Sequence, residues 1–348
     1  MPDGRIVVIG ASAGGVEALL AIVPDIPPGF PAPLFVVVHI PAGTPSALPD
    51  LLSRRGNLPS RHASDGEPYE PGTIYVAPPD HHLLLDDGRM RVVRGPRENR
   101  HRPAIDPLFR SAALVAGPKV IGVILSGSLD DGTAGLLAIK KRGGIAVVQD
   151  PADAMHASMP QSALDNVEVD AAVPLRQIAG TLVHLLQQQP IPMPIPANDL
   201  DLMTMETQIA GMDQETLQND ARPGTPSGFS CPDCGGVLWE VRDGRYTRYR
   251  CRVGHAYSPE TIDSAQNELL EEAFWAALHT LEERATLSRR LADTERKRGH
   301  PWMAARFDER ERKARQQAGV IRRLVESGDS DVPQVTSAKV QVTRRRRR

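Results

Sequence analysis

The stretch RIVVIGASAGG, at residues 5–15, constrains the fold of this chain more than any other. Its residues 6–9 are all apolar and β-branched, which is typical of a strand buried on both faces of a parallel sheet. Small residues follow, and apolar residues then recur at helical spacing from Val16. A strand, a tight turn and a helix in this order put Ser12 at the carboxyl edge of the predicted sheet.

The turn around Ser12 has two interpretations. Gly10, Ser12 and Gly14 match the G-x-S-x-G elbow, in which glycines let the backbone turn sharply and expose a nucleophilic serine. Backbone amides near Ala13 or Gly14, at the helix start, would then form the oxyanion hole. The alternative is a phosphate-binding first turn in which Ser12 only caps the helix. The G-x-G-x-x-G pattern is missing, which weakens the dinucleotide version.

Short apolar runs alternate with helical patterns as far as residue 186. This alternation predicts an α/β fold with a doubly wound, mainly parallel sheet, helices on both faces and a β-hairpin. The predicted elements are strands at 34–38, 73–77, 120–125 and 146–149, a hairpin at 82–93, and helices at 135–141 and 178–186.

Composition excludes several classes of protein. The formal net charge of the 348-residue chain is -2, so no overall field attracts it to nucleic acid or to a membrane surface. No apolar segment is long enough to span a bilayer, and no signal peptide precedes the first strand. We therefore expect a cytoplasmic protein with no nucleic-acid partner and no membrane insertion.

Three kinds of polar side chain follow predicted strands. They are Ser12, His39 and the pair Asp130 and Asp131. A serine nucleophile needs a base to take its proton, and the base needs an acid to orient it. A histidine that closes a strand is more often structural, and Asp-Asp-Gly is more often a turn. Their coincidence at one predicted sheet edge nevertheless favours a serine hydrolase, with the acid left open between the two aspartates.

Six longer pieces of sequence carry a family resemblance. They are VVIGASAGG, VVVHIP, GTIYVAPPDHHL, AIDPLFRSAA, LSGSLDDGTAGLLAIKKRGG and VVQDPADAMHASMPQSAL. With these motifs, residues 4–187 resemble the catalytic domain of the chemotaxis protein-glutamate methylesterases, the CheB family. The resemblance implies a triad of Ser12 as nucleophile, His39 as general base and Asp131, which precedes the glycine of its motif, as orienting acid. It implies no cofactor for catalysis.

The resemblance also implies an activity. The family hydrolyses methyl esters of glutamate side chains on chemoreceptor helices and often deamidates glutamines there. The implied partners are methylated chemoreceptor cytoplasmic helices and a kinase or receiver-domain protein. Family enzymes usually carry an N-terminal receiver domain that blocks the active site, and we expect that switch to be absent from this chain, which starts at the catalytic strand. The alternatives are a hydrolase for a different ester or amide and a non-catalytic signalling scaffold.

The three cysteines form a second candidate site. Cys231-x2-Cys234 and Cys251-x3-His255, sixteen residues apart, are two short-spaced ligand pairs around a predicted hairpin. Three thiolates and an imidazole suit structural zinc, so we predict a zinc-ribbon-like module at 229–258. The alternatives are a cluster of buried thiols without metal and a redox pair at Cys231 and Cys234.

These expectations divide the chain into five segments. They are a catalytic domain at 1–187, a Pro-rich linker at 188–228, the zinc-ribbon-like module at 229–258, a helical hairpin at 259–327 and a disordered basic tail at 328–348.

Overall fold

The computed structural model describes residues 4–40, 43, 45–191, 197–219 and 223–327. The predicted basic tail at 328–348 lies outside these ranges, as does the centre of the Pro-rich run. The chain divides into two compact units, Met1–Asp263 and Ser264–Arg348. Within the described ranges, no helix combines the length and the apolar character that a bilayer-crossing segment needs.

The strands of the described chain all lie in the first unit. They are β1 (Ile6–Ala11), β2 (Leu34–Val38), β3 (Ser60–His62), β4 (Ile74–Val76), β5 (His82–Asp86), β6 (Arg89–Val93), β7 (Val120–Ile124), β8 (Ile145–Gln149), β9 (Ala171–Val173), β10 (Thr225–Ser230), β11 (Val237–Asp243), β12 (Tyr246–Cys251) and β13 (Ala256–Tyr257).

The helices follow the same numbering. They are α1 (Gly15–Ile22), α2 (Leu48–Arg55), α3 (Ile105–Ala116), α4 (Thr133–Lys141), α5 (Ser158–Asn166), α6 (Ile178–Leu186), α7 (Ala197–Ala210), α8 (Gln214–Gln218), α9 (Pro259–Lys297) and α10 (Pro301–Ser327).

The first unit is built on a seven-stranded parallel sheet in the order β3-β4-β2-β1-β7-β8-β9. The chain winds outward from β1 in one direction and then returns to β7, on the other side of β1. The doubly wound parallel fold predicted from the sequence is therefore confirmed. The point where the winding reverses lies between β1 and β7, and such a crevice is where α/β sheets usually bind their ligands.

The two faces of the sheet are covered by different helices. Ile6 and Val8 of β1 pack in one apolar cluster with α3, α4 and α5. Val7 and Ile9 pack in the other cluster with α1, α2 and α6. Successive side chains of a strand point to opposite faces, so an uninterrupted apolar run supplies both cores.

The predicted hairpin is formed by β5 and β6, with Asp86 paired to Arg89 across a two-residue turn. Asp87 and Gly88, the two turn residues, have φ angles of 37° and 79°. Two successive left-handed residues match the twist of the flanking strands, which explains the Asp-Gly signal in the sequence.

A second, antiparallel sheet has the strand order β10-β11-β12-β13. Cys251 ends β12, Cys231 and Cys234 lie between β10 and β11, and residues 258–261 follow the sheet directly. We call residues 223–261 the cysteine module.

The segment predicted as a Pro-rich linker contains two helices, α7 and α8. Met203, Ile209 and Ala210 of α7 are buried, and so is Glu206. The buried side of α7 includes this charged residue, so its sequence lacks the apolar stripe that identifies a packed helix.

The second unit contains most of α9 and all of α10, which are joined at Gly299. Arg296 pairs with Asp308 near the connection, and Arg322 pairs with Glu282 far from it. This pattern of ion pairs is that of two antiparallel helices, so the predicted helical hairpin is confirmed.

A close contact between α3 and α4 yields a test of the packing. A Cβ added at Gly135 would lie 2.5 Å from Phe109 Cβ, an atom that cannot move without its backbone. We expect Gly135→Ala to lower the free energy of unfolding by about 1–3 kcal/mol through overpacking. The matched control is Gly180→Ala in α6, where a Cβ meets nothing within 4 Å. In that variant the free energy of unfolding should rise by about 0.4–1 kcal/mol, because alanine restricts the conformations of the unfolded chain. Equal effects in denaturant titrations would contradict the packing described.

Candidate active site

The side chains of Ser12, His39 and Asp131 follow β1, β2 and β7, which are neighbours in the sheet. Ser12 lies in the tight turn before α1, where Gly14 has a φ of 73°. A Cβ at Gly14 would lie 2.9 Å from Ser126 Oγ, so both the backbone angle and the space favour glycine. Adjacent parallel strands bring the three side chains to one edge of the sheet.

The three side chains form a continuous hydrogen-bonded relay. Ser12 Oγ lies 2.9 Å from His39 Nδ1, and His39 Nε2 lies 2.8 Å from Asp131 Oδ2. Because an ionised carboxylate only accepts hydrogen bonds, the imidazole proton belongs on Nε2. Nδ1 is then free to accept the proton of the Ser12 hydroxyl. This arrangement matches the hydroxyl, base and acid of a serine hydrolase.

Four donors hold the Asp131 carboxylate. Oδ2 accepts from His39 and from the backbone amide of Ile105, at 2.8 and 2.7 Å. Oδ1 accepts from Asn99 Nδ2 at 2.9 Å and from the Asp106 amide at 3.3 Å. Burial by itself would raise the pKa of Asp131, but the His39 and other hydrogen bonds outweigh it and lower the pKa to about 2. The carboxylate is therefore ionised at neutral pH.

Asp130 faces away from the relay. Its two oxygens accept from Tyr246 Oη and Ser258 Oγ of the cysteine module, both at 2.7 Å. Burial raises the pKa of Asp130 to about 7, against the two hydrogen bonds, which lower it. Of the two aspartates that the residues alone left open, Asp131 is the one in contact with His39.

His101 is a neighbour of the relay that sequence reasoning missed. Its ring stacks on that of His39, with ring centroids 3.6 Å apart and planes 11° from parallel. Burial and the nearby His39 lower the pKa of His101 to about 4, so this second imidazole is neutral at pH 7. Its signal in the sequence was only a position between two arginines, which does not distinguish it from a surface histidine.

Asn99 and Arg100, which precede His101, have φ angles of 48° and 71°. Non-glycine residues in this left-handed region are strained, and such strain persists only where the surroundings hold the backbone. Asn99 is buried and donates to Asp106 as well as to Asp131. This segment was also not singled out from the sequence, because its role depends on contacts with distant residues.

The backbone amides of Ala13 and Gly14 lie beside Ser12. No acceptor among the described residues bonds either of them. The Ala13 carbonyl accepts from Ser126 Oγ at 2.8 Å, and this hydrogen bond joins the Ser12 turn to the loop after β7. Two such amides at a helix start suit the negative oxygen of an acyl-transfer intermediate.

A pocket of about 290 Å³ opens beside His39. It is lined by His39, Ile40, Asp80, Arg97, Arg100, His101 and Arg102. The single carboxylate, Asp80, is already bound by Arg102 and by Arg94. Three arginines against one carboxylate among the lining residues make this pocket cationic next to the relay.

The four predicted metal ligands lie together in the cysteine module. The three cysteine Sγ atoms and one ring nitrogen of His255 all lie within 4.8 Å of one another. Cys251 Sγ lies 3.7 Å from Cys234 Sγ and 3.5 Å from His255 Nδ1. Cys231 Sγ lies 3.7 Å from the same nitrogen. All three cysteines are free of disulfide bonds.

These spacings fit a tetrahedral ion. Zinc binds thiolate at about 2.3 Å and imidazole at about 2.0–2.1 Å, so its ligand atoms lie roughly 3.8 Å apart for two sulfurs and roughly 3.6 Å for sulfur and nitrogen. The distance between Cys234 and Cys251 and the two distances to His255 given above agree with these values. The cluster is compatible with a metal site.

Comparisons with known proteins agree with the geometry of the first unit. Residues 7–182 match the family model described as CheB methylesterase. A relative from Leptospira interrogans is 42% identical over 182 residues, which cover 52% of this chain and 94% of that protein. A protein from Xanthomonas campestris, named protein-glutamate methylesterase/protein-glutamine glutaminase 1, is 41% identical over 188 residues, 53% of this chain and 52% of its own.

One solved structure is similar as well. The crystal structure of the Thermotoga maritima CheB methylesterase catalytic domain superposes with a TM-score of 0.51 and 36% identity, over 53% of this chain and 99% of that one. The matched region contains the parallel sheet and the Ser12, His39 and Asp131 relay. This chain belongs to the CheB methylesterase family.

Proposed function

We propose that this protein is a serine hydrolase that removes methyl esters from glutamate side chains of chemoreceptor-type proteins, and that it also deamidates glutamine at such sites. The observation that carries the proposal is the hydroxyl, imidazole and carboxylate relay of Ser12, His39 and Asp131. The names of its relatives supply the substrate class. A cytoplasmic location follows from that substrate, since the methylated helices of chemoreceptors are cytoplasmic.

The reaction follows from the residue types. Ser12 Oγ attacks the ester carbonyl while His39 Nδ1 takes its proton, and Asp131 stabilises the imidazolium that forms. The carbonyl oxygen becomes negative next to the Ala13 and Gly14 amides. His39 then returns the proton to the departing methoxide, which leaves as methanol. Water attacks the glutamyl ester on Ser12 by the same route and releases the glutamate carboxylate and free Ser12.

A glutamine side chain suits the same relay. Its amide carbonyl takes the same attack, and the His39 proton goes to the departing nitrogen, which leaves as ammonia. The acyl-enzyme and its hydrolysis are identical for both substrates. One site therefore accounts for both activities in the names of the relatives.

The cationic pocket beside His39 suits a substrate segment that carries carboxylates close to the ester. Arg97 is exposed at this pocket, and Arg102 is held in place by Asp80. A carboxylate next to the scissile group would be attracted to this cationic pocket, whereas a small neutral ester would not. We therefore infer an acidic protein segment as the preferred substrate.

We also propose that the cysteine module holds one structural zinc ion on Cys231, Cys234, Cys251 and His255. Four protein ligands fill a tetrahedron and leave no open position for a substrate or water. The module and the helical hairpin would then serve a partner, such as a kinase or a receiver-domain protein.

The triad is tested by replacing its nucleophile and base. Ser12→Ala and His39→Ala should each lower methylesterase turnover by a factor on the order of 10⁶, because neither the attack nor the proton transfer survives. Release of methanol from a methylated receptor fragment measures the loss. Wild type should react covalently with a fluorophosphonate, and Ser12→Ala should not. Wild-type rates in folded Ser12→Ala would show that the triad is assigned wrongly.

The acidic preference is tested with Arg97→Gln. On a peptide with a glutamate methyl ester and flanking acidic residues, we expect KM to rise about two- to fivefold, the range for an exposed charge pair. The same peptide with glutamines as flanks, and a small neutral ester, should keep their kinetics. Arg176→Gln removes a charge that does not line the pocket and is the control. Equal changes on both peptides would rule out charge recognition by Arg97.

The zinc proposal predicts one equivalent of zinc in protein purified without chelator, measured by elemental analysis. Cys251→Ser should lose most of it, because a hydroxyl is a poor replacement for a thiolate. Ser230→Ala, next to the first ligand in the chain, should retain it. A full equivalent of zinc in Cys251→Ser would remove this thiol from the ligand set.

A further inference from the structure

The cysteine module is joined to the backbone beside the catalytic relay. Ala256 directly follows the ligand His255, and its amide donates to the Arg97 carbonyl at 3.2 Å. Its carbonyl accepts from the Asn99 amide at 2.8 Å. One residue next to a metal ligand therefore forms a short parallel bridge with residues 97–99.

This bridge leads directly to the catalytic carboxylate. Asn99 Nδ2 donates to Asp131 Oδ1 at 2.9 Å, and the left-handed backbone of Asn99 sets the direction of that side chain. Because such a backbone conformation is strained, it depends on the bonds on either side of it. The module supplies the bond at the Asn99 amide.

A second connection reaches the same carboxylate through its neighbour in the chain, Asp130. Both oxygens of Asp130 are bound by the module, through Tyr246 Oη and Ser258 Oγ. Asp130 immediately precedes Asp131, so these two hydrogen bonds fix the backbone from which the catalytic carboxylate projects. Among the described residues, no hydrogen bond joins Tyr246 or Ser258 to His39 or Ser12, and neither residue belongs to the four metal-ligand candidates.

Buried ion pairs make the two connections stiff. Glu98, inside the bridged segment, is bound by Arg110 of α3 at 2.8 Å and by Arg250 of β12 at 3.0 Å. Arg250, which precedes the ligand Cys251, also contacts Glu206 of α7 at 3.2 Å. All of these charges are buried, so a shift of β12 would leave carboxylates unpaired inside the protein, which is costly.

We propose that the cysteine module is a positioning element of the active site, which holds the Asp131 carboxylate on His39 through Asn99 and Asp130, so that metal bound at its four ligands sets the reactivity of Ser12. Cys231, Cys234, Cys251 and His255 would hold the metal, which would cross-link the Cys231 loop to the turn between Cys251 and His255, and that turn is continuous with Ala256. Without the ion, this turn loses its cross-link, and the bridge to residues 97–99 loosens. The inference rests on the proposed function.

The test uses the full-length protein and variants that remove single atoms. Tyr246→Phe and Ser258→Ala each delete one hydrogen bond to Asp130 and leave the four ligands in place. We expect each to lower kcat on a small neutral ester by about tenfold with KM unchanged. A misplacement of about 1 Å can cost about a hundredfold, and the loss of one hydrogen bond should displace the Asp131 carboxylate by less than that. Zinc content and thermal unfolding should show that both variants are loaded and folded.

Matched controls come from the same module. Tyr249→Phe makes the identical change on the same strand, and the Tyr249 hydroxyl makes no hydrogen bond to the described residues. Ser227→Ala deletes a hydroxyl that donates to the Leu238 carbonyl within the module, at 2.8 Å. Both controls should keep wild-type kcat.

Two measurements other than turnover report on Ser12, His39 and Asp131 directly. We expect the proton of the bond between His39 Nε2 and Asp131 to give a low-field proton NMR resonance, and the fluorophosphonate labelling rate to report the reactivity of Ser12. Removal of the metal with a chelator should broaden or shift this resonance and slow labelling about tenfold or more, and added zinc should reverse both changes. Tyr246→Phe should shift the resonance with zinc still bound.

Two results would overturn the proposal. One is an unchanged resonance and labelling rate in metal-free protein, and the other is a loaded Tyr246→Phe or Ser258→Ala that behaves like Tyr249→Phe. If chelation unfolds the whole protein, the test of the proposal is the behaviour of Tyr246→Phe and Ser258→Ala with zinc bound. Failure of the proposed function is a separate result, since it shows as activity that survives in Ser12→Ala.

Discussion

The buried Asp131 carboxylate is the group on which the rest of the site depends. A charge in this position is unfavourable unless donors surround it, and here two donors serve each oxygen. One donor is the His39 imidazole, two are amides at the start of α3, and one is the Asn99 side chain. The carboxylate thereby stays ionised, which determines the tautomer of His39 and leaves Nδ1 facing Ser12.

The packing of α3 is the second constraint. A Cβ at Gly10 of β1 would lie 2.4 Å from Ile105 Cγ2, so α3 approaches the central strand more closely than a larger residue would permit. Ile105 is also the residue whose amide binds Asp131. Gly10, which precedes the Ser12 turn, therefore lets α3 lie close enough to β1 for the Ile105 amide to donate to Asp131.

The cysteine module gives this family fold an additional buried surface. A sheet of this size has little apolar core, and buried ion pairs join Arg250 of β12 to Glu98 and to Glu206 of α7. Such contacts are directional, and they depend on partners that stay in place. With the proposed zinc ion bound, the module would be suited to holding loops near the active site, because the ion would make its shape independent of a large core.

The alternation of strands and helices, the hairpin and the helical pair were predictable from sequence, because hydrophobic periodicity, apolar runs and Asp-Gly turns are local signals, whereas α2, α3 and α5 were not predicted. The ligand spacing of the cysteines was local as well, and motif order indicated the nucleophile, base and acid. Asn99, His101, Tyr246 and Ser258 had no such signal, and α7 looked like part of a linker because Glu206 interrupts its buried side. Their roles come from partners more than a hundred residues away in several cases, which no local pattern encodes. The sequence by itself determined which groups are available for chemistry, whereas only the tertiary structure decided which of them hold Asp131 in place, because a buried charge is satisfied by whatever donors the fold brings to it.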